Sequence, residues 1–348
     1  MAAHAPSISV ALATYNGERF IREQLESILA QSLPPAEIVV RDDCSTDNTL
    51  GVVREVLSTR RLAALGVELR IVVNDKNVGP SKNFWLAIQG CSHELIALSD
   101  QDDVWMENKL EVLAAILESD PAALLVHSDA ELIDSSGAAL GMTLSEGLGM
   151  SEWETNHLVS GRSLPAIIRR NLVTGATAMV KRELANLAMD ESTVDLHDGR
   201  LAIVASSLDG LRFCPQQLIG YRQHESNEIG GTPLSLVDTA VALSKSWIEL
   251  SQVLERRNRE LEELLAKLGG RISPANSQII EDRIAHNVWR MGLPRSRVFR
   301  VWPVLWGVMR QRYKRFGRQP HDVMRDLLMP PREVLLGFVR ELGRVFRG

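Results

Sequence analysis

The sequence predicts an α/β fold, a mostly parallel sheet up to about residue 230, followed by an α-helical C-terminal extension. Three observations carry that expectation. Short apolar runs at residues 8–13, 37–40, 67–73 and 95–98 alternate with stretches of helical period, as strands joined by crossover helices do. Unusual polar clusters follow these runs, and in parallel sheets the loops beyond the strands' carboxyl ends line the ligand crevice. From about Leu234 the period is helical to the end. We therefore expect two parts, residues 1–230 and residues 231–348.

The elements follow in order. Residues 8–13 form a strand that ends at the turn signal Thr14-Tyr15-Asn16-Gly17. Phe20, Ile21, Leu25, Ile28 and Leu29 then recur at helical spacing over 18–31, and Pro34-Pro35 closes that helix. The second strand, 37–40, runs into Arg41-Asp42-Asp43-Cys44-Ser45-Thr46-Asp47. Ser45 or Thr46 is the expected cap of the next helix, which carries Leu50, Val53 and Leu57. A third strand at 67–73, a helix over 79–88 and a strand at 95–98 come next, with a further strand at 124–130. Residues 135–165 are rich in Gly, Ser and Met with weak period, which predicts a mobile loop. Residues 174–180 are strand-like, Asp195-Leu196-His197-Asp198 precedes an apolar helix at 201–208, and 218–224 is a last strand and turn. Residues 253–268 read as an amphipathic helix with charged pairs.

Composition bounds the setting. A hydrophobic fraction of 45% against 24% charged is that of a folded soluble protein. No window holds the ~18 uninterrupted apolar residues of a membrane span, and residues 1–7 lack a secretory signal. Cys44, Cys91 and Cys214 are too few and too scattered for a disulfide framework or a metal cluster, so reduced thiols and a cytoplasmic location are expected. The net charge of −5 conceals a split: residues 1–230 carry 18 Lys/Arg against 32 Asp/Glu, and residues 231–348 carry 21 against 12. An acidic body with a basic appendage points to an anionic partner for the appendage.

The most unusual stretch is Leu98-Ser99-Asp100-Gln101-Asp102-Asp103-Val104-Trp105. Three carboxylates at one strand end repel each other unless a cation neutralises them. Oxygen ligands favour Mg²⁺ or Mn²⁺, ions that commonly carry a substrate's phosphates. An acidic turn on a solvated surface is the plain alternative.

Ala13-Thr14-Tyr15-Asn16-Gly17, Asp42-Asp43-Cys44-Ser45-Thr46-Asp47, Asn77-Val78-Gly79, Asp100-Gln101-Asp102-Asp103-Val104-Trp105, His197-Asp198 and Tyr221-Arg222-Gln223-His224-Glu225-Ser226-Asn227 occur in that order. Together they resemble glycosyltransferase family 2, inverting enzymes of the GT-A (Rossmann-like nucleotide-diphospho-sugar transferase) fold, over residues 8 to about 230. The resemblance implies that Asp102 binds Mg²⁺ or Mn²⁺, with Asp100 on its ribose or metal side and His224 a third ligand or diphosphate contact. Asp103 is implied as a supporting residue or helix cap. Nucleotide contacts fall on Thr14, Tyr15, Asn16, Glu18, Asp42, Asp43, Asn77, Gly79 and Asn83, with Asp43 accepting from a pyrimidine N–H. A capped turn before a helix is the alternative for Asp42-Asp43.

Asp198 matches the position of the general base that takes the acceptor hydroxyl's proton, with His197 and Arg222 at the diphosphate or acceptor. At a helix N-terminus its carboxyl is expected to stay low in pKa and ionised; simple helix capping is the alternative. Two departures stand out: Cys44 replaces a Gly common in the family, and Gly199-Arg200 replaces an aromatic residue. No Gln-x-x-Arg-Trp pattern is present, which argues against a processive polysaccharide synthase. Asp-Gln-Asp-Asp-Val-Trp with Tyr-Arg-Gln-His looks most like rhamnosyltransferase members of the hexosyltransferase class. The implied donor is dTDP-L-rhamnose and the implied acceptor a surface polysaccharide or lipid-linked glycan.

The tail mixes Trp302, Leu305, Trp306, Met309, Tyr313 and Phe316 with Arg310, Arg312, Lys314, Arg315 and Arg318. Such a mixture suits either the inner face of an anionic membrane, reached peripherally, or ordinary packing. No nucleic-acid readout pattern accompanies the charge. Two other functions share parts of this pattern. A metal-dependent sugar nucleotidyltransferase would carry a basic Gly-rich loop after the first strand, which Thr14-Tyr15-Asn16-Gly17 lacks. A non-catalytic membrane-surface adaptor would have no use for the polar loops.

Overall fold

The computed structural model describes residues 6–188, 197–224, 247–294, 296–317 and 321–328. Asp195, Leu196, Glu225, Ser226, Asn227, Leu234 and Arg318 lie outside them. The chain divides into two compact units, Met1–Ile167 with Asn171–Thr232, and Ile168–Arg170 with Pro233–Gly348.

Among the described residues the first unit is built on a nine-stranded mixed sheet. Its strands are β1 (Ile8–Thr14), β2 (Glu37–Asp42), β3 (Glu68–Val73), β4 (Leu95–Ser99), β5 (Val104–Trp105), β6 (Leu125–Ile133), β7 (Ala139–Thr143), β8 (Ala178–Lys181) and β9 (Leu211–Arg222). They lie in the order β3-β2-β1-β4-β8-β6-β9-β5, with β7 beside β6. β3, β2, β1 and β4 are mutually parallel, and β8 is antiparallel to both β4 and β6. This is the α/β arrangement expected, and the parallel half is connected by α1 (Ile21–Leu29), α2 (Thr49–Val56), α3 (Thr59–Leu65) and α4 (Pro80–Gly90). Every residue of β1 is buried, as a strand covered on both faces requires, and this explains why it reads as a continuous apolar run. The core joins Ile8, Val10, Leu12, Ile38, Val40 and Leu95 to Ile21, Leu25 and Ile28 of α1.

Residues 135–165, expected as a mobile loop, instead form β7 and three short helices, α6 (Leu144–Gly147), α7 (Glu152–Val159) and α8 (Leu164–Ile167). Local capping accounts for the difference. Thr143 with Glu146, and Ser151 with Glu154, each make a reciprocal capping box, which satisfies helix N-terminal N–H groups where apolar period is weak. β9 also begins earlier than residue 218. Its register against β6 slips between the Ser128–Cys214 and Asp129–Gln217 pairs, at Pro215, which has no N–H to give the ladder. After β5 comes α5 (Lys109–Ser119), and α9 (Arg182–Ala188) and α10 (His197–Ser207) precede β9.

The second unit is helical: α11 (Trp247–Leu268), α12 (Pro274–Met291), α13 (Arg297–Met309), α14 (Arg312–Phe316) and α15 (His321–Leu328). Leu250, Leu254, Leu261, Leu264 and Leu268 are buried along α11, the apolar stripe that the sequence shows. Buried charge organises the rest. Asp326 accepts from Arg290 Nε (2.8 Å), Arg290 Nη2 (2.6 Å) and the Tyr313 hydroxyl (2.7 Å), a fully hydrogen-bonded carboxylate of the kind a dry interior tolerates. Among the described residues no helix is long and apolar enough to cross a membrane.

Candidate active site

The loops that follow the parallel strands β1, β2, β3 and β4 hold many of the expected site residues, and hydrogen bonds between the loops brace them. After β2, Asp42 is fully buried. Its Oδ2 accepts from Thr14 Oγ1 (2.9 Å) and Ser45 Oγ (2.6 Å), and its Oδ1 from Ser45 N (2.9 Å). Ser45 therefore braces the loop and does not cap α2; Asn48 stands at that N-cap, with no side-chain cap bond. Thr46 N instead donates to Asn16 Oδ1 at 2.8 Å, and Glu18 Oε2 accepts from Asn48 N at 2.9 Å. Cys44, which replaces the family's Gly, adopts φ 64°. The left-handed turn is thus kept at the steric cost of a Cβ, and the Cys44 thiol donates to Asn74 O at 2.8 Å.

Asp43 ties this loop to the next. Its Oδ1 accepts from Asn74 Nδ2 (2.7 Å) and Val78 N (2.8 Å), and its Oδ2 from Gly79 N (2.9 Å). A carboxylate offers about four lone-pair directions, so Oδ2 keeps one for a further donor. Asn83, buried in α4, accepts from Asn74 Nδ2 (2.9 Å) and donates to Arg41 O (2.9 Å). Asn77 Oδ1 accepts from Gly79 N at 3.1 Å. Asn74 is the hub of this network, and sequence reasoning passed over it because a lone Asn after a strand resembles any turn residue. Tyr15, on the loop after β1, is exposed.

The acidic loop after β4 is clamped on both sides. Gln101 pairs in both directions with the backbone of Tyr15, accepting from its N and donating to its O, each at 2.9 Å. A Cβ on Gly17 would sit 2.2 Å from Gln101 Oε1, so the glycine is what lets the two loops close. Asp102 Oδ2 lies 2.9 Å from His224 Nε2, across 122 residues of sequence. The His224 ring stacks on Phe20 with centroids 4.9 Å apart.

Arg222 is not at the surface where a phosphate contact was expected. It is buried, donates to Asp102 O (2.7 Å) and Asp134 O (3.3 Å), pairs with Glu23, and lies 4.8 Å from the Phe20 centroid. It fastens the end of β9 beneath the acidic loop. Arg222→Ala should therefore cost about 3–4 kcal/mol of stability and Arg222→Lys should not rescue it, since one ammonium cannot reproduce the fork. Urea unfolding checks this; a loss under ~1 kcal/mol would return Arg222 to a ligand-contact role.

Asp103 caps no helix, because α5 starts at Lys109 with Asn108 at its N-cap. Its Oδ1 accepts from Arg222 N at 3.0 Å, and no hydrogen-bond partner reaches its Oδ2 among the described residues. Burial first, then the charges of Asp102 and Asp100, push its carboxyl well above the usual range. Behind it Lys109 is buried, and desolvation lowers its ammonium to about 7 against the pull of Asp103 and Asp100. Lys109 Nζ donates to Ala176 O at 2.6 Å and sits 3.6 Å from the Trp105 ring centroid.

Asp198 lies in the first turn of α10, nearly buried, and accepts from Gly199 N at 2.5 Å. The expectation of a low pKa fails here. Loss of solvent outweighs the backbone donors and raises the carboxyl to about 6, because desolvation of a buried charge exceeds the helix-terminus effect. His197 is neither exposed nor placed to donate. It stacks on Phe84 at 4.0 Å, both ring nitrogens lack hydrogen-bond partners among the described residues, and burial lowers it to about 3. Both Asp198 and the three carboxylates Asp100, Asp102 and Asp103 act electrostatically on the Tyr221 hydroxyl, raising its pKa after burial has done so. Tyr221 thus lies within reach of both halves of the site.

Comparison with known proteins bears on the family and the fold. The model of Glycosyl transferase family 2 matches residues 9–142. The chain is 26% identical over 228 residues to dTDP-rhamnosyl transferase RfbG of Shigella flexneri, across 63% of this chain and 73% of that protein. It is 33% identical over 131 residues to the poly(ribitol-phosphate) β-N-acetylglucosaminyltransferase TarS of Staphylococcus aureus, but these span 37% of this chain and 21% of TarS. In structure it resembles S. aureus TarS 1–349 in complex with UDP-GlcNAc, with TM-score 0.54 and 18% identity over 81% of this chain and 72% of that one. It also resembles the mannosyltransferase PcManGT of Pyrobaculum calidifontis in complex with GDP-Man and Mn²⁺, with TM-score 0.55 and 17% identity over 94% and 85%. At such identities the two structures speak for the fold, which is GT-A. Residues 9–142 match the Glycosyl transferase family 2 model, on a sheet of that fold.

Proposed function

We propose that this protein is an inverting, divalent-metal-dependent glycosyltransferase that moves a sugar from a nucleotide-diphosphate donor to a glycan acceptor. The observation that carries the reading is the convergence of Asp102 and His224, 2.9 Å apart from two distant loops, with a second carboxylate, Asp198, raised to about 6 and acting, like Asp102, on the Tyr221 hydroxyl. A carboxylate and an imidazole suit Mn²⁺ or Mg²⁺. Among the described residues no group of three His, Cys, Asp or Glu could hold an ion, so the expected trio of Asp102, Asp100 and His224 does not gather as ligands; Asp102 and His224 would supply two, and substrate oxygens and water would supply the rest. When bound, the ion would neutralise the departing diphosphate.

The remaining steps belong to the chain. Asp43 keeps one acceptor direction for the base N–H, while Thr14, Asn16, Glu18, Asp42, Asn77, Gly79 and Asn83 hold that pocket's walls and exposed Tyr15 offers a stacking face. Asp100 would serve the ribose or the metal. Asp198, ionised above pH 6, takes the acceptor hydroxyl's proton as its oxygen attacks the anomeric carbon opposite the diphosphate, and the configuration inverts. Neutral His197 contributes by packing against Phe84 and Gly175 to set the Asp198 backbone. The name of RfbG, a dTDP-rhamnosyl transferase and the relative matched over the longest stretch quoted above, supports a dTDP-rhamnose donor, for which dTDP-L-rhamnose is our reading; the acceptor proposed is a surface or lipid-linked glycan.

Donor consumption with Mn²⁺ or Mg²⁺ across dTDP-L-rhamnose, UDP-GlcNAc and GDP-mannose tests this. We expect nucleoside diphosphate release, fastest with dTDP-L-rhamnose. Pyrophosphate release from a nucleoside triphosphate and a sugar phosphate would replace the proposal with a nucleotidyltransferase.

A further inference from the structure

Helix α13 is built inside out. Its inward face carries Arg300, Val304 and Gly307, all buried. Arg300 is held there by donating from Nε to Pro294 O (2.7 Å) and from Nη1 to Asp326 O (2.9 Å). Gly307 lets the helix approach α12 so closely that a Cβ would fall 2.4 Å from the Trp289 ring. Because the charged residue faces in, the apolar ones face out. Val298 is 78% exposed, Trp302 75%, Phe299 74% and Met309 69%, with Leu305 and Trp306 exposed between them. At 100° per residue these fall on one side of the helix, opposite Arg300, Val304 and Gly307. Scattered apolar residues on a surface need no account, but a contiguous face containing two Trp and a Phe does.

The surroundings choose the occupant. Arg297 at the start of α13, Arg310 just after its end and Lys314 in α14 are exposed, and residues 297–321 contain no Asp or Glu. Arg310 and Arg312 each lie 5.4 Å from the Trp306 ring centroid, so cations border the apolar stripe. Two copies of the chain meeting through this face would bring like charges together, whereas an anionic bilayer complements them. A helix of 13 residues is about 20 Å long, too short to span and suited to lie in the plane of the headgroups with its aromatic side down.

We propose that α13 docks the protein on an anionic lipid surface, inserting Phe299, Trp302, Trp306 and Met309 between headgroups that Arg297, Arg310 and Lys314 attract. The inference does not depend on the reaction proposed above.

Co-sedimentation of the full chain with vesicles of phosphatidylcholine, alone or with roughly one-third phosphatidylglycerol, tests it. The protein should bind the anionic vesicles, release with salt, and ignore the neutral ones. Phe299→Glu with Trp302→Glu should weaken partitioning at least about tenfold without lowering the melting temperature, since both side chains are already in water. Arg310→Glu with Lys314→Glu, which leaves the apolar face intact, should weaken it by a similar factor. Absence of binding to anionic vesicles, or binding by either double variant equal to that of the wild type, would overturn the proposal. So would a wild-type dimer that Phe299→Glu with Trp302→Glu dissociates, which would make the face an interface between copies.

Discussion

Asp198→Asn is expected to lower kcat by about 10²–10⁴-fold, the usual contribution of a positioned base, while donor affinity stays within about twofold because no nucleotide contact is lost. The stability should move the other way. In the fold Asp198 titrates at about 6 against 3.8 for the ordinary group, so between those values the native state holds a proton that the unfolded chain has released. Stability from this group is therefore greatest at low pH and declines as pH rises through 6. Asn cannot ionise and still accepts from Gly199 N, so it should raise stability at pH 7 by about 1–3 kcal/mol. The wild-type minus variant difference should shrink toward zero near pH 4. Calorimetric melts across pH, donor titration and single-turnover rates check the three parts. The acid limb of wild-type kcat/KM should have its midpoint near pH 6. Loss of donor binding in the variant would reassign Asp198 to structure.

Asp102→Ala should lower kcat/KM by about 10²–10³-fold or more, since a diphosphate leaving group would lose its main electrostatic support. Chelation with EDTA should abolish wild-type activity, and His224→Ala should weaken metal affinity by roughly 10–100-fold. The loss will not come from unfolding. Asp102 is one of the charges that raise Asp103, and removing a like charge beside a buried carboxyl relieves repulsion. Melting temperature in the absence of metal should thus be unchanged or slightly higher in Asp102→Ala. Mn²⁺ should raise the wild-type melting temperature and not that of the variant, because only a bound ion stabilises. Full activity of Asp102→Ala, or activity in EDTA, would sink the metal role.

Much of the frame was legible from one dimension. The alternation of apolar runs with helical stretches announced the parallel half of the sheet, since strands covered on both faces must be apolar throughout. The polar clusters then had to lie on strand-end loops. What escaped were features set by short local bonds. The capping boxes at Thr143 and Ser151 turned a weakly periodic stretch into helices, and Ser45 bonded Asp42 and left α2 uncapped by it. In each case competing hydrogen bonds of equal local appearance were separated only by what the fold put nearby.

The sequence by itself determined the α/β alternation, the acidic cluster, the candidate carboxylates and the charge split between the two parts. Tertiary structure decided the rest: that Asp102 meets His224, that Arg222 is a buried brace, that Asp198 titrates near 6, and that α13 turns its arginine inward and its tryptophans outward. The physical reason is shared. Residue identity fixes which charges and apolar groups a segment owns, whereas burial and partners from far along the chain fix how strongly each is desolvated, and desolvation sets both pKa and exposure.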